Sequence, residues 1–287
     1  MSSILSKSLE NQRIVWFQNS NSYLILDTIV AIIIEKLDQQ LSFKEILQWT
    51  SEQIDAPEEA LNEFLENIVE LYSKNIQPEK KRNHLSSFQP VQRKYNSKVY
   101  YQINDYVFLI ECENEYLVSK VFPTFAHLQI ENTSSFDYHY QVYEKEDKII
   151  FLKDNTFVGD WNKNESHVFQ GKLSMQIMID IYKKPEEKWM GVFHASALSN
   201  RKESMLFLGD SGNGKSTSLA LLNANGFHSI ADDFVPIDIE KHVYSYPAAI
   251  SVKKKSLSTL LPFYPELETT AEYHFKKLNK IVRFLPL

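Results

Sequence analysis

The sequence predicts two units: a small α+β module over residues 1–78 and an α/β domain over residues 97–287, joined by a linker over 79–96. Three observations predict this. Residues 204–233 read as strand, glycine loop, helix and strand, the last ending in Asp232-Asp233. Residues 1–78 hold short strand-like runs followed by three helical ones, the element content of a winged-helix-like module. Between the units, residues 76–96 are polar and proline-bearing and carry the basic run Lys80-Lys81-Arg82, which reads as a solvated linker cluster.

Composition sets the limits. Hydrophobic residues make up 43% of the chain and aromatics 13%, enough for packed cores and against disorder. No apolar run approaches the ~20 residues of a membrane span; Ile29–Ile34 is stopped by Glu35. The net charge of −6 argues against nucleic-acid binding, which needs a basic face. The one cysteine, Cys112, and the lack of an export signal in Met1–Glu10 point to the cytoplasm.

The elements follow in order. Arg13–Gln18 and Tyr23–Leu26 are strand-like, separated by the turn composition of Asn19–Ser22. Asp27 or Thr28 then opens a helix to about Leu37. Ser42-Phe43-Lys44-Glu45 is a capping box for a helix to about Ile54. Pro57 lies in the first turn of a third helix, whose Leu61, Phe64, Leu65, Ile68, Leu71 and Tyr72 form one apolar face. Beyond the linker, a β-rich part over 97–188 contains strands in Tyr100–Ile110 and Lys148–Leu152 and a helix over Ser166–Tyr182. From 189 on, two strands, a loop, a helix and a strand form the nucleotide-binding part.

Only 7 of 287 residues are glycine, and three of them, Gly209, Gly212 and Gly214, fall in one loop. Residues 209–216 read Gly-Asp-Ser-Gly-Asn-Gly-Lys-Ser, which fits G-x-x-x-x-G-K-[ST] at every fixed position. The flanks fit too: Ser204–Leu208 is a short strand run, and Ser216–Asn225 is helical and closed by Gly226. Glycines let successive backbone N–H groups face phosphate oxygens, and the helix N-terminus adds its positive end. The loop Gly209, Asp210, Ser211, Gly212, Asn213, Gly214, Lys215, Ser216 and Thr217 is therefore a candidate ATP site. Lys215 is expected to reach the β/γ-phosphates and Ser216 to ligate Mg²⁺. The carboxylates Asp232 and Asp233 suit two tasks, holding Mg²⁺ and accepting a proton from an attacking hydroxyl; they also suit a turn with two acidic caps.

Phe193-His194-Ala195-Ser196, the loop 206–216 and Gly226–Asp233 together resemble the catalytic domain of the HPr kinase/phosphorylase family, whose pattern is a His, a G-D-S-G-x-G-K-S loop and a later A-D-D. The likeness covers about residues 190–240. It implies an α/β kinase domain that uses ATP and Mg²⁺, with Asp232 as the base, Asp233 near the metal, His194 near the phosphates and a homo-oligomeric assembly. Two departures turn the expectation away from HPr as substrate. Thr217 stands where bacterial members often carry Glu, and no glycine follows Gly226, so the downstream glycine signature is missing. Tyr246–Ser256 instead resembles HPr-kinase-like proteins of peptide-modification clusters, including lasso-peptide serine kinases, and a lysine of Lys253–Lys255 is a candidate phosphate contact. Tyr23–Thr28 and Ser42–Leu47 resemble the PqqD-like peptide-recognition fold, which implies a leader peptide added as a strand. Kinases of this type often continue past a strand like Lys280–Leu287, leaving room for an element missing from this chain or supplied in trans.

The expected activity is transfer of the ATP γ-phosphate to a serine hydroxyl of a protein or ribosomally made peptide. Two other readings stand beside it. A small-molecule kinase for free serine or a sugar has no need of a peptide-binding module. A non-catalytic nucleotide-dependent binding protein has no need of a base beside Lys215.

Overall fold

A computed structural model describes residues 3–78, 93–275 and 280–286. The basic run Lys80-Lys81-Arg82 and most of the expected linker lie outside the described residues. The chain divides into two compact units, Met1–Asn83 and His84–Leu287.

The first unit is an antiparallel meander, β1 (Ile4–Leu9), β2 (Gln12–Phe17) and β3 (Ser22–Asp27), followed by α1 (Thr28–Asp38), α2 (Phe43–Gln53) and α3 (Glu58–Ile76). Strand β1 was not legible in the sequence. Only Ile4 of its six residues is buried, so it has no apolar alternation and is held through its pairing with β2. The capping box of α2 forms as expected: the Glu45 N–H donates to Ser42 Oγ at 3.3 Å, and the Ser42 N–H donates to Glu45 Oε2 at 2.8 Å. Val15 and Phe17 meet Ala31, Ile33 and Ile34 of α1, Ile46 of α2 and Leu65 of α3 in one core. On the opposite face of the sheet Leu5, Tyr23 and Ile25 are exposed, and the Trp16 and Tyr23 rings stack at 5.8 Å.

In the second unit Arg93–Asn96 is not free linker. Arg93 pairs with Glu113 at 2.9 Å and lies over the Tyr143 ring, and the Asn96 N–H donates to Cys112 O. The run Tyr100–Ile110 is a hairpin, β4 (Ser97–Ile103) and β5 (Tyr106–Cys112), turned at Asn104 with φ +51°. Helix α4 (Glu115–Phe125) follows. The sequence reading passed over it; Pro123 in its last turn discourages a helix assignment by removing a backbone donor. Strands β6 (Gln129–Ile130), β7 (Tyr138–Lys145), β8 (Lys148–Lys153) and β9 (Thr156–Asn162) complete a six-stranded sheet in the order β6-β4-β5-β7-β8-β9. It is antiparallel except at β5–β7. Helix α5 (Ser166–Tyr182) has the expected bounds, and its Phe169, Leu173 and Ile177 join Phe108, Tyr140 and Phe151 of the sheet in the main core.

The remaining chain forms β10 (Trp189–Phe193), β11 (Ser196–Ser199), β12 (Ser204–Phe207), α6 (Lys215–Ala224), β13 (His228–Asp232), β14 (Val235–Asp238), β15 (Ile250–Lys253), α7 (Lys254–Leu260), β16 (Tyr273–Phe275) and β17 (Lys280–Leu285). These build three small sheets, β10-β14, β12-β11-β13 and β15-β17-β16. Among the described residues no helix is long and apolar enough to cross a membrane.

Candidate active site

Strand register assembles the site. β11 runs antiparallel to both β12 and β13, and Ser196 faces Phe207 on one side and Asp232 on the other. The glycine loop leaving β12 and the two carboxylates ending β13 therefore meet at one sheet edge. β12 and β13 run in the same direction, so the carboxyl ends of both lie at this edge, and β11 starts there.

In the loop Gly209, Gly212 and Gly214 have φ of +146°, +105° and +83°. A Cβ at Gly212 or Gly214 would touch nothing within 4 Å, so backbone conformation and not space demands glycine there. The Asn213 N–H donates to Asp210 O at 3.3 Å and tightens the turn. Gly214 caps α6, so the unpaired N–H groups of its first turn face the loop. Lys215 is buried, and its Nζ donates to Gly209 O at 2.8 Å and Asp210 O at 3.2 Å. Its ammonium is thus held inside the loop.

Asp232 and Asp233 are adjacent in sequence and unlike in setting. Asp232 is 3% exposed. Its Oδ1 accepts from Ser216 Oγ at 2.9 Å and from Ser196 Oγ at 2.6 Å, and its Oδ2 accepts from the Ser251 N–H at 3.2 Å. Burial pushes its pKa up, the Asp233 charge adds to that, and the three donors only partly pull it back. Asp233 is exposed and sits in the left-handed region at φ +61°, a strained conformation for a non-glycine residue. Its carboxylate is 3.7 Å from His194 Nδ1, which also lies 3.3 Å from the Asp233 carbonyl oxygen. His194 lies in the corner between β10 and β11, with its side chain exposed.

A cavity of about 230 Å³ opens over this edge. Ser211, Gly212, Gly214, Lys215, Ser216 and Thr217 line it from the loop side, and His194 and Asp233 from the strand side. Gly209, Asp210 and Asn213 shape the loop from behind, and Asp232 supports Ser216 from below the surface. Ser216 fits a magnesium ligand, because donating its proton to Asp232 leaves its oxygen lone pairs to a cation. The sequence did not single out Ser196 or Ser251, which act only through register. It offered three lysines at 253–255 without choosing among them. The fold chooses Lys253, which lines the cavity and donates from Nζ to Ser211 Oγ at 3.2 Å; Lys254 and Lys255 begin α7. Thr217 Oγ1 donates to, or accepts from, Ser256 Oγ at 2.8 Å and ties α6 to α7.

If the loop holds ATP, as the sequence leads one to expect, Lys253→Ala is expected to weaken that binding roughly tenfold, the scale of one charge-assisted hydrogen bond. Lys255→Ala is expected to leave it unchanged. Calorimetric titration of ATP–Mg²⁺ into the variants checks this, and equal affinities would remove Lys253 from the site.

A second acidic group, Asp238, Glu240 and His242, lies at the end of β14. Asp238 is buried and already accepts from Lys184 Nζ at 2.5 Å and Tyr244 Oη at 2.9 Å, which gives it a structural task. No family model matches the chain, and neither the curated proteins nor the solved structures yielded a match to it.

Proposed function

We propose that the protein is an ATP–Mg²⁺-dependent kinase that transfers the γ-phosphate to a serine hydroxyl of a protein or ribosomally made peptide. The observation that carries this reading is the Ser216–Asp232 hydrogen bond, which couples the glycine loop to the carboxylate pair. A turn with acidic caps has no reason to share a proton with the loop serine.

The loop N–H groups and the α6 N-terminus attract the phosphates, and Lys215 and Lys253 bring positive charge to them. Magnesium, when bound, neutralises charge across the β- and γ-phosphates. Asp232 accepts the Ser216 hydroxyl proton, which would leave the serine oxygen to hold the metal. The sequence resemblance gives Asp232 the role of base and Asp233 the place near the metal. Burial and the three donors on Asp232 favour the reverse order, because a base needs a lone pair that an acceptor can reach. In this scheme the acceptor oxygen bonds to the γ-phosphorus and the bond to the β–γ bridging oxygen breaks. ADP leaves, and the acceptor proton passes to Asp233. His194 positions Asp233 by holding its turn.

The test is transfer of label from γ-labelled ATP to serine peptides. ATP binding without transfer to any acceptor would favour a nucleotide-dependent binding protein. Transfer to free serine or a sugar but to no peptide would favour the small-molecule kinase.

In the first unit β3 is an edge strand whose Tyr23 and Ile25 are exposed, which supports a peptide partner, a leader segment added as a strand at that edge. Ile25 is 60% exposed, so Ile25→Asp is expected to leave the melting temperature within about 2 °C, as surface changes do. It is expected to raise KM for a peptide substrate at least about tenfold, the loss of one buried aliphatic contact. An unchanged KM would take the leader off this face. The single cysteine, buried and unpaired, supports the cytoplasm as the compartment.

A further inference from the structure

We propose that a second cavity, which shares Asp233 and Ser251 with the first, takes an uncharged apolar group of the acceptor, next to the hydroxyl that receives phosphate. This rests on the kinase reading. The cavity lies between α4, α5 and the segment leading into β15. Val121, Phe125, Leu173 and Ala248 give it apolar walls, continuous with the main core. Its volume is about 150 Å³. A cavity of that size holds one benzene-sized group, and its apolar side suits a Phe or Leu side chain, with Gln170 and Ser174 at its polar side.

Two features argue for an acceptor and not for part of the nucleotide. Asp233 lines both cavities, but the glycine loop and Lys215 line only the first, and α4 and α5 line only the second. At this wall the Asp232 and Asp233 carboxylates outnumber the one ammonium, that of Lys120, which lies over the Tyr116 ring, so a phosphate-bearing or acidic ligand is disfavoured and an uncharged one is not. The second feature is Tyr246. It is 3% exposed, and its hydroxyl interacts with Ser174 without forming a full hydrogen bond. Burial keeps the phenol protonated. A buried hydroxyl short of a full hydrogen bond is costly, and a ligand polar atom beside Ser174 would relieve it. Ser174 lines the same cavity, so the peptide group flanking an inserted side chain is a suitable partner. The arrangement places the apolar group in the cavity and the neighbouring serine hydroxyl at Asp233.

The experiment measures binding of N-acetyl-Ser-Phe-amide, N-acetyl-Ser-Gly-amide and N-acetyl-Ser-Asp-amide to the full chain by ligand-observed NMR, with ADP–Mg²⁺ saturating. The Phe peptide is expected to bind at least tenfold more tightly than the Asp peptide. Ser174→Leu, which fills the cavity, is expected to abolish that preference without changing ADP affinity. Tyr246→Phe keeps the packing and is expected to weaken the Phe peptide several-fold. Equal binding of the three peptides, no binding of any, a preference untouched by both variants, or displacement of the Phe peptide by ADP would overturn the proposal. Failure of the kinase reading looks different: peptides bind with the stated preference, yet no phosphate is transferred to any of them.

Discussion

Lys215→Ala is expected to lower phosphoryl transfer by at least about 10²–10³-fold, which corresponds to about 3–4 kcal/mol of transition-state stabilisation. The reason is geometric. The ammonium is buried and fixed by two loop carbonyls, so its charge is aimed into the loop before any phosphate arrives. A preorganised charge in a site screened from water is worth more than one free to swing. Removing it also leaves the Gly209 and Asp210 carbonyls without this donor, so the loop is expected to loosen and ATP affinity to fall with kcat. Label transfer and ATP titration on the same preparation check both. Full activity in the variant would remove the loop from catalysis, and circular dichroism guards against an unfolded sample.

The second large effect separates the two carboxylates. Asp233→Asn is expected to cut transfer by roughly 10²–10⁴-fold, the range for loss of a general base. Its nucleotide affinity is expected to stay within about threefold, because Asp233 makes none of the bonds that hold Ser216. Asp232→Asn is expected to act through binding. An amide keeps one acceptor oxygen: its NH₂ opposes either the Ser251 N–H or the Ser196 and Ser216 hydroxyls, so the set of bonds that fixes Ser216 is broken and ATP affinity is expected to become less sensitive to magnesium. Magnesium-dependent ATP titration beside single-turnover transfer reads the two effects apart. If Asp232→Asn instead abolished transfer with magnesium-dependent binding intact, and Asp233→Asn transferred normally, the base would be Asp232, as the sequence resemblance implies.

The two variants bear on how far a sequence reading reaches. The glycine loop and the Ser42–Glu45 capping box were legible because each depends on residues within a few positions of one another. Their geometry follows from backbone freedom and short-range donors, and the structure shows both. Helix α5 was legible for a similar reason, as a long run of periodic apolar residues. Strand β1 was not, because its order comes from pairing with β2 and little from its own pattern. Helix α4 was not, because Pro123 hides it. The cavity beside Tyr246 was not, because its walls come from α4, α5 and the segments at 232–234 and 246–251, far apart in the chain.

By itself the sequence determined that a strand, a glycine loop and a helix stand together, that Lys215 and Ser216 open that helix, and that two carboxylates end the following strand. Those are properties of contiguous residues and their local dihedral and capping preferences. The tertiary structure alone decided which carboxylate is buried, which of three lysines faces the loop, and which serines hold Asp232. These outcomes depend on strand register. Ser196 meets Asp232 because β11 pairs with β13 at that offset, and Ser251 arrives from nineteen residues away. Asp232 is the last residue of β13 and is covered by β11 and the chain entering β15, whereas Asp233 turns out of the strand at φ +61°, so neighbours as alike as these receive opposite environments only once the sheet is assembled.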